Sequence, residues 1–419
     1  MSTAAVSPDS STAQATFERI AELERKYLLT TYNRYPVVLT RGKGVFLWDV
    51  EGKKYLDFVS GLGVNALGHA HPRIVKAIRE QAAKLLHVSN LYYHEYQGLL
   101  AEKLCKLAGS SLGNARAFFS NSGTEAIEGS IKLARLAGHR AGGEAKCRLV
   151  ALEGSYHGRT FGALSLTGQD KHRKGFEPML EGVTFVKQND MEGLRAAVND
   201  NTCAIVLEPI FGEGGIYECT PEFLAECRAA ADRHKAALIF DEIQCGLGRT
   251  GTIFAFQSFG VTPDIVAIAK PIAAGLPLGA FIAREEFASA ISPGQHGTTF
   301  GGGPLVCRVA LEFLAIVEEE KLLENVNRVG EYLRHELEGL VKKSSPAIAV
   351  RGRGFIQGIQ LEIPARPIVD AALAEGVLFN STQDTVVRFL PPFLLEEKHV
   401  DKGIRTLKKL LAKKKKTAA

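Results

Sequence analysis

An acid and a lysine close two successive apolar runs: Asp241 follows Leu238-Ile239-Phe240, and Lys270 follows Ile265-Val266-Ala267-Ile268-Ala269. If the runs are neighbouring strands of an open parallel sheet, both side chains stand at the carboxyl ends, where such sheets bind ligands. A carboxylate there is costly unless it meets a cation, and a partly buried lysine exposes a neutral, nucleophilic amine. The two residues alone fit a structural ion pair at the sheet edge. They are also what pyridoxal phosphate (PLP) requires: a lysine amine for covalent attachment and a carboxylate that keeps the pyridine nitrogen protonated.

A third group favours the cofactor. Asn121-Ser122-Gly123-Thr124 precedes a helical pattern from Glu125 to Ala137, so free N–H groups and hydroxyls gather at a helix N-terminus suited to a phosphate. Ser-Gly-Thr-Glu taken alone is equally an ordinary capping box. A site handling amino and oxo acids also needs fixed cationic forks for carboxylates. Arg159, after Tyr156-His157-Gly158, and Arg388, within Val386-Val387-Arg388-Phe389-Leu390, are the candidates, with pairing to a structural acid as the alternative.

These residues fall in motifs that resemble the class III aminotransferases, a fold type I PLP family, along nearly the whole chain. The matching stretches are Phe119-Ser120-Asn121-Ser122-Gly123-Thr124-Glu125-Ala126, Tyr156-His157-Gly158-Arg159-Thr160 and Glu208-Pro209-Ile210, followed by Asp241-Glu242-Ile243-Gln244, Ala269-Lys270-Pro271 and His296-Gly297-Thr298-Thr299-Phe300-Gly301-Gly302. The resemblance implies that Ser122, Gly123 and Thr124 hold the phosphate, Tyr156 stacks on the ring and Gln244 contacts its phenolic oxygen. It further implies a homodimer with active sites at the interface, in which Thr299 reaches the neighbouring subunit's phosphate. On physical grounds alone, Tyr156 could be core and Thr299 a loop hydroxyl.

Within the class, Val64-Asn65-Ala66-Leu67-Gly68-His69, Ser89-Asn90-Leu91-Tyr92-Tyr93, Asn380-Ser381-Thr382-Gln383-Asp384 and Thr31-Tyr32-Asn33-Arg34-Tyr35-Pro36 resemble the members of arginine biosynthesis that act on N-acetylornithine. The implied reaction moves its terminal amino group to 2-oxoglutarate, giving N-acetylglutamate semialdehyde and glutamate. By the same resemblance Glu213 is a switch that pairs with Arg388 and yields it to a glutamate or 2-oxoglutarate carboxylate, while Arg159 holds the distal one and Tyr32 contacts substrate. Ornithine, succinylornithine, carrier-linked lysine and 4-aminobutyrate aminotransferases share these residues, and an aminomutase or a non-catalytic PLP-fold protein are rivals of other classes. The chain departs from the family pattern at Ile127, Ala273, Ala274 and Gly303.

The elements that must position these groups alternate. From Leu149 onward short apolar runs (148–152, 183–186, 203–208, 237–241, 265–268) are separated by helical patterns such as 191–198 and 221–234, the signature of a helix-covered parallel sheet. After Gly301-Gly302-Gly303-Pro304 the pattern becomes longer amphipathic helices (305–317, 322–340) and one strand, 351–362. Early on, 45–49 and 54–58 read as a hairpin around Glu51-Gly52. The expected fold is α/β: a large PLP domain over 61–303 with a mostly parallel sheet of seven-stranded type, a smaller α+β domain over 304–419 joined by 17–60, and a disordered leader over 1–16.

With 419 residues, 46% of them hydrophobic, the chain can bury a large core without staples. Its net charge of +5 resides mainly in the terminal lysines, including Lys413 to Lys416, which read as a solvated helix end and not a nucleic-acid contact. Seven cysteines without a CxxC pair or metal-ligand spacing fit reduced thiols and no metal. No apolar run is long enough to span a membrane, so a cytoplasmic protein acting on small molecules is expected.

Overall fold

The computed structural model describes residues 10–341 and 346–418, with side chains for 15–341 and 346–412. Its centre is a seven-stranded sheet in the order Ala115–Ser120, Gly279–Arg284, Ile265–Ile268, Ala237–Asp241, Thr202–Leu207, Arg148–Leu152 and Val183–Val186. Gly279–Arg284 runs antiparallel to both its neighbours, while the five strands from Ile265–Ile268 to Val183–Val186 pair in parallel. The central strands are buried on both faces, which is why they read as unbroken apolar runs and not as alternating ones.

The helices between them start on local signals. Thr220 caps Pro221–Arg233 by accepting the Phe223 N–H at 3.2 Å, with Pro221 in the first turn, and Asp190 caps Met191–Ala197 through Gly193 at 2.9 Å. Ser122 caps the long helix Gly123–Gly142, and Glu125 returns its carboxylate to the Asn121 N–H at 2.6 Å. The Ser122 half of the capping box therefore exists, while Glu125 reaches one residue further back than the motif requires, to Asn121, at the head of the candidate phosphate site.

Two further sheets lie outside this core. Leu39–Lys43, Phe46–Asp49 and Lys54–Asp57 form an antiparallel set that takes Val377–Leu378 alongside in parallel, tying the early hairpin to the C-terminal region. Ala347–Arg353, Ile356–Leu361, Val386–Phe389 and Asn380–Thr382 form an antiparallel sheet against the helix Leu322–Val341. Among the described residues no helix is long and apolar enough to cross a membrane.

One expectation changes. The single strand over 351–362 is a hairpin turning at Gly354, whose φ of +52° is a left-handed conformation, with Gly352 at +91° before it; the two glycines, alternating with Arg351 and Arg353, are the turn signal. Of the expected leader, residues 1–9 lie outside the described residues, and 10–16 fall within the helix Ser10–Tyr27.

Candidate active site

The carboxyl ends of the parallel strands open on a cavity of about 400 Å³ lined by Lys270, Asp241, Gly123, Thr124, Tyr156 and Gln244, with Ser122, Arg159 and Glu213 also on its wall. Asp241 is the last residue of its strand; Lys270 begins a short 3-10 turn two residues beyond the next. The two therefore share one cavity, and the Asp241 carboxylate pairs with the His157 ring instead of with Lys270: Nδ1 and Oδ2 are 2.8 Å apart. The other Asp241 oxygen accepts the Ile243 N–H at 3.1 Å. An ionised carboxylate only accepts, so His157 donates from Nδ1, which leaves its buried Nε2 without a partner.

Lys270 has a φ of +39°, a left-handed conformation uncommon for a residue with a Cβ and costing on the order of 1–3 kcal/mol where it persists. Burial depresses its amine pKa and the Arg388 charge adds to that, while Glu213 and Asp241 work against it; the net shift is downward. A neutral amine is thus more accessible here than on a surface lysine.

The phosphate end is shaped by the absence of side chains. A Cβ on Gly123 would meet Ile243 at 2.7 Å, and one on Gly158, whose φ is +139°, would meet Thr124 Oγ1 at 2.1 Å. Thr124 Oγ1 lies 2.8 Å from Thr160 Oγ1, at the N-terminus of a 20-residue helix. Backbone N–H groups, a hydroxyl and a helix dipole thus face the same opening, a donor set that suits a phosphate dianion.

On the opposite side Arg388 is 1% exposed. Its Nη1 donates to Glu213 Oε1 at 2.6 Å, to the Gly212 carbonyl at 2.7 Å and to Gln244 Oε1 at 3.1 Å, and Asn380 Oδ1 accepts from Nε at 3.0 Å and Nη2 at 2.6 Å. Burial works to raise the Glu213 pKa, but the charge and hydrogen bond of Arg388 outweigh it and hold the carboxyl below its usual range. Arg159, exposed at the mouth, stacks its guanidinium 5.7 Å from the Tyr156 ring centroid.

Thr299 and Tyr32 stand apart from this cavity in the single chain. Thr299 is exposed on the 292–303 loop; Tyr32 lines a separate groove with Phe17, Ile20 and Leu28 of the N-terminal segment. Comparison with known proteins then decides the family. The model for "Aminotransferase class-III" matches residues 28–411. The chain belongs to the class III aminotransferases.

Among relatives of this aminotransferase, the acetylornithine aminotransferase of Aquifex aeolicus is 45% identical over 92% of this chain and 100% of its own. The crystal structure of acetylornithine aminotransferase from Elizabethkingia anophelis superposes with a TM-score of 0.84 at 33% identity, covering 95% of this chain and 99% of that one. The ornithine aminotransferase of Toxoplasma gondii, with PLP in partial occupancy at its active site, superposes at TM-score 0.90 and 28% identity over 98% and 100% of the two chains.

The departures of this aminotransferase from the family pattern have physical readings. Ile127 is wholly buried in the cluster beneath the sheet and does not line the cavity. Ala274 adopts φ +49°, where a glycine would be free of roughly 1–2 kcal/mol of left-handed strain. Gly303 caps Pro304–Glu319 without a side chain, at a cost of only a few tenths of a kcal/mol relative to Asn by typical cap preferences.

Sequence reasoning did not single out His157 or Glu208. Glu208 directly follows the strand Thr202–Leu207, so the rule that selected Asp241 applies to it equally. Its carboxylate accepts the Tyr156 N–H at 2.8 Å and the Gly212 N–H at 3.0 Å. Burial, reinforced by Asp241, raises its pKa.

Proposed function

We infer that the chain moves the terminal amino group of N-acetylornithine to 2-oxoglutarate, with PLP as cofactor and glutamate and N-acetylglutamate semialdehyde as products. The observation that carries this is Glu213, paired with the buried Arg388 behind it, on the wall of the cavity that Lys270 and Asp241 also line, in a chain 45% identical over 92% of its length to an acetylornithine aminotransferase.

The residues fit the cofactor. The Gly123–Thr124 helix end has donors for the phosphate, Asp241 has a carboxylate for the ring nitrogen, oriented by His157, and Tyr156 has a ring for one face. Bound there, PLP supplies an electron sink for the substrate carbon that loses its proton. Lys270 supplies the amine that holds the cofactor and, once released by substrate, acts as general base on the proton of the amino-bearing carbon. Its depressed pKa favours the neutral form that this role requires.

Arg388 and Arg159 divide the substrates. With Glu213 on Arg388, the donor binds by its remote carboxylate at Arg159 and reacts through its terminal amine. When 2-oxoglutarate enters, its carboxylate next to the oxo carbon takes Arg388 in a bidentate grip and Glu213 withdraws. Glu213→Ala should therefore raise kcat/KM for glutamate relative to N-acetylornithine by about 10- to 150-fold, the range of one charge-assisted hydrogen bond. Stopped-flow half-reactions with each amino acid measure the ratio, and an unchanged balance removes the switch.

A homodimer accompanies this reading. Leu85, Leu86, Leu91, Tyr92, Tyr93 and Phe300 are all exposed, and Asn90 donates to the Thr298 and Gly301 carbonyls, so these large apolar side chains lie on segments joined to the Thr299 loop, the kind of surface an interface covers. Such an interface gives Thr299 a route to the partner's phosphate site. The donor is tested by half-reactions with N-acetylornithine, ornithine, N-succinylornithine and 4-aminobutyrate. N-acetylornithine should show the highest kcat/KM, and a better rate with another donor would reassign the substrate.

A further inference from the structure

The Glu213 carboxylate is held by Arg388, but its backbone is held independently, from both domains. The Gly212 N–H reaches Glu208 Oε2 at 3.0 Å and the Gly212 carbonyl accepts from Arg388 at 2.7 Å. One residue on, the Glu213 carbonyl accepts the Thr382 hydroxyl at 2.7 Å and the Gln383 amide at 2.9 Å. Gly212 packs closely against Gln244, so that a Cβ there would lie 2.2 Å from Gln244 Oε1 and no side chain fits at this position.

The strand Asn380–Thr382 makes this arrangement specific. Residues two apart on a strand face the same way. Asn380 grips the guanidinium of Arg388, and Thr382 grips the backbone that carries the opposing carboxylate. A single strand thus sets the spacing between the two halves of the ion pair. Gln383 extends the clamp to Gln169 at 3.1 Å, next to the segment that leads out of the Arg159 loop.

We propose that Thr382 and Gln383, opposite Glu208, are positioning residues that lock the backbone of residues 212 and 213, so that the switch opens by rotation of the Glu213 side chain alone and its closed state is favoured over a drifting one. This rests on the switch reading given above. The clamp thereby sets how strongly the protein prefers a terminal amine over the α-amine of glutamate. Loosening it lets the Glu213 carboxylate drift from Arg388 and exposes the guanidinium to α-carboxylates during the donor half-reaction. Glu208 is the poorer place to test this, because it also holds the Tyr156 backbone.

Thr382→Val keeps the shape and removes the hydroxyl donor; Gln383→Ala, at an exposed residue, removes the second donor with little risk to folding. Each should raise the ratio of kcat/KM for glutamate over N-acetylornithine by about two- to tenfold, the size of one hydrogen bond. Thr382→Ser, which retains the hydroxyl, should restore the ratio. A ratio within twofold of the parent in both variants, or both kcat/KM values falling in step, overturns the proposal. In a Glu213→Ala background Thr382→Val should add nothing, since the gated group is gone; a further shift there also overturns it. If Glu213→Ala alone leaves the ratio unchanged, the switch itself is wrong and the clamp falls with it. If Glu213→Ala shifts the ratio while the clamp variants do not, only the clamp is wrong.

Discussion

Lys270→Ala should lower turnover of N-acetylornithine with 2-oxoglutarate by at least about 10²- to 10⁴-fold, the contribution of a positioned general base, while PLP still binds through its phosphate and ring contacts. The geometry separates the two effects. The helix end at Gly123 and Thr124, the Tyr156 ring and the Asp241 carboxylate all line the cavity independently of the lysine side chain. Equilibrium dialysis of PLP and steady-state kinetics on one preparation measure both. Near-normal turnover would refute the assignment of Lys270. Loss of PLP binding together with a lowered Tm would show instead that the lysine acts through the fold.

Asp241→Asn should cost about 10²- to 10³-fold in kcat, in the range found when a single preorganised electrostatic contact is removed. The substitution preserves size and can still accept the Ile243 N–H, but it removes the charge that orients His157 and faces the ring nitrogen. Because Asp241 lines the cavity with Lys270 and its carboxylate contacts His157 there, the loss falls on the chemical step more than on the fold. The half-reaction rate with N-acetylornithine at saturating donor reads this directly. A kcat within about threefold of the parent would mean that ring-nitrogen protonation does not limit the reaction here.

Much of the arrangement was legible along the chain because its causes are local. Burial on both faces makes each parallel strand a continuous apolar run, so Ala237–Asp241 and Ile265–Ile268 stand where periodicity places them. Caps announce helices: Ser122 with Glu125, and Thr220 with Pro221. The strands Ala115–Ser120 and Gly279–Arg284 were missed. Neither sits in the regular alternation of strand and helix, and their antiparallel pairing with each other spans most of the large sheet's sequence. The 347–361 hairpin reads as one strand from sequence because its turn is very tight: Arg351-Gly352-Arg353-Gly354 interrupts the apolar pattern only briefly, and Arg353 already pairs with Ile356.

By itself the sequence determined which residue types end the strands and head the long helix, since hydrophobic periodicity and capping depend on neighbours a few residues away. Only the tertiary structure decided what those groups meet. Residue 241 turns its carboxylate to the ring of residue 157 rather than to the amine of residue 270, and Glu208 bridges two loops. Arg388 meets Glu213 from 175 residues away, and the hydroxyl of Thr382 holds that glutamate's backbone. Such contacts arise where separate chain segments are packed against one another around the end of a sheet, and no short-range pattern encodes the angle or distance at which they arrive.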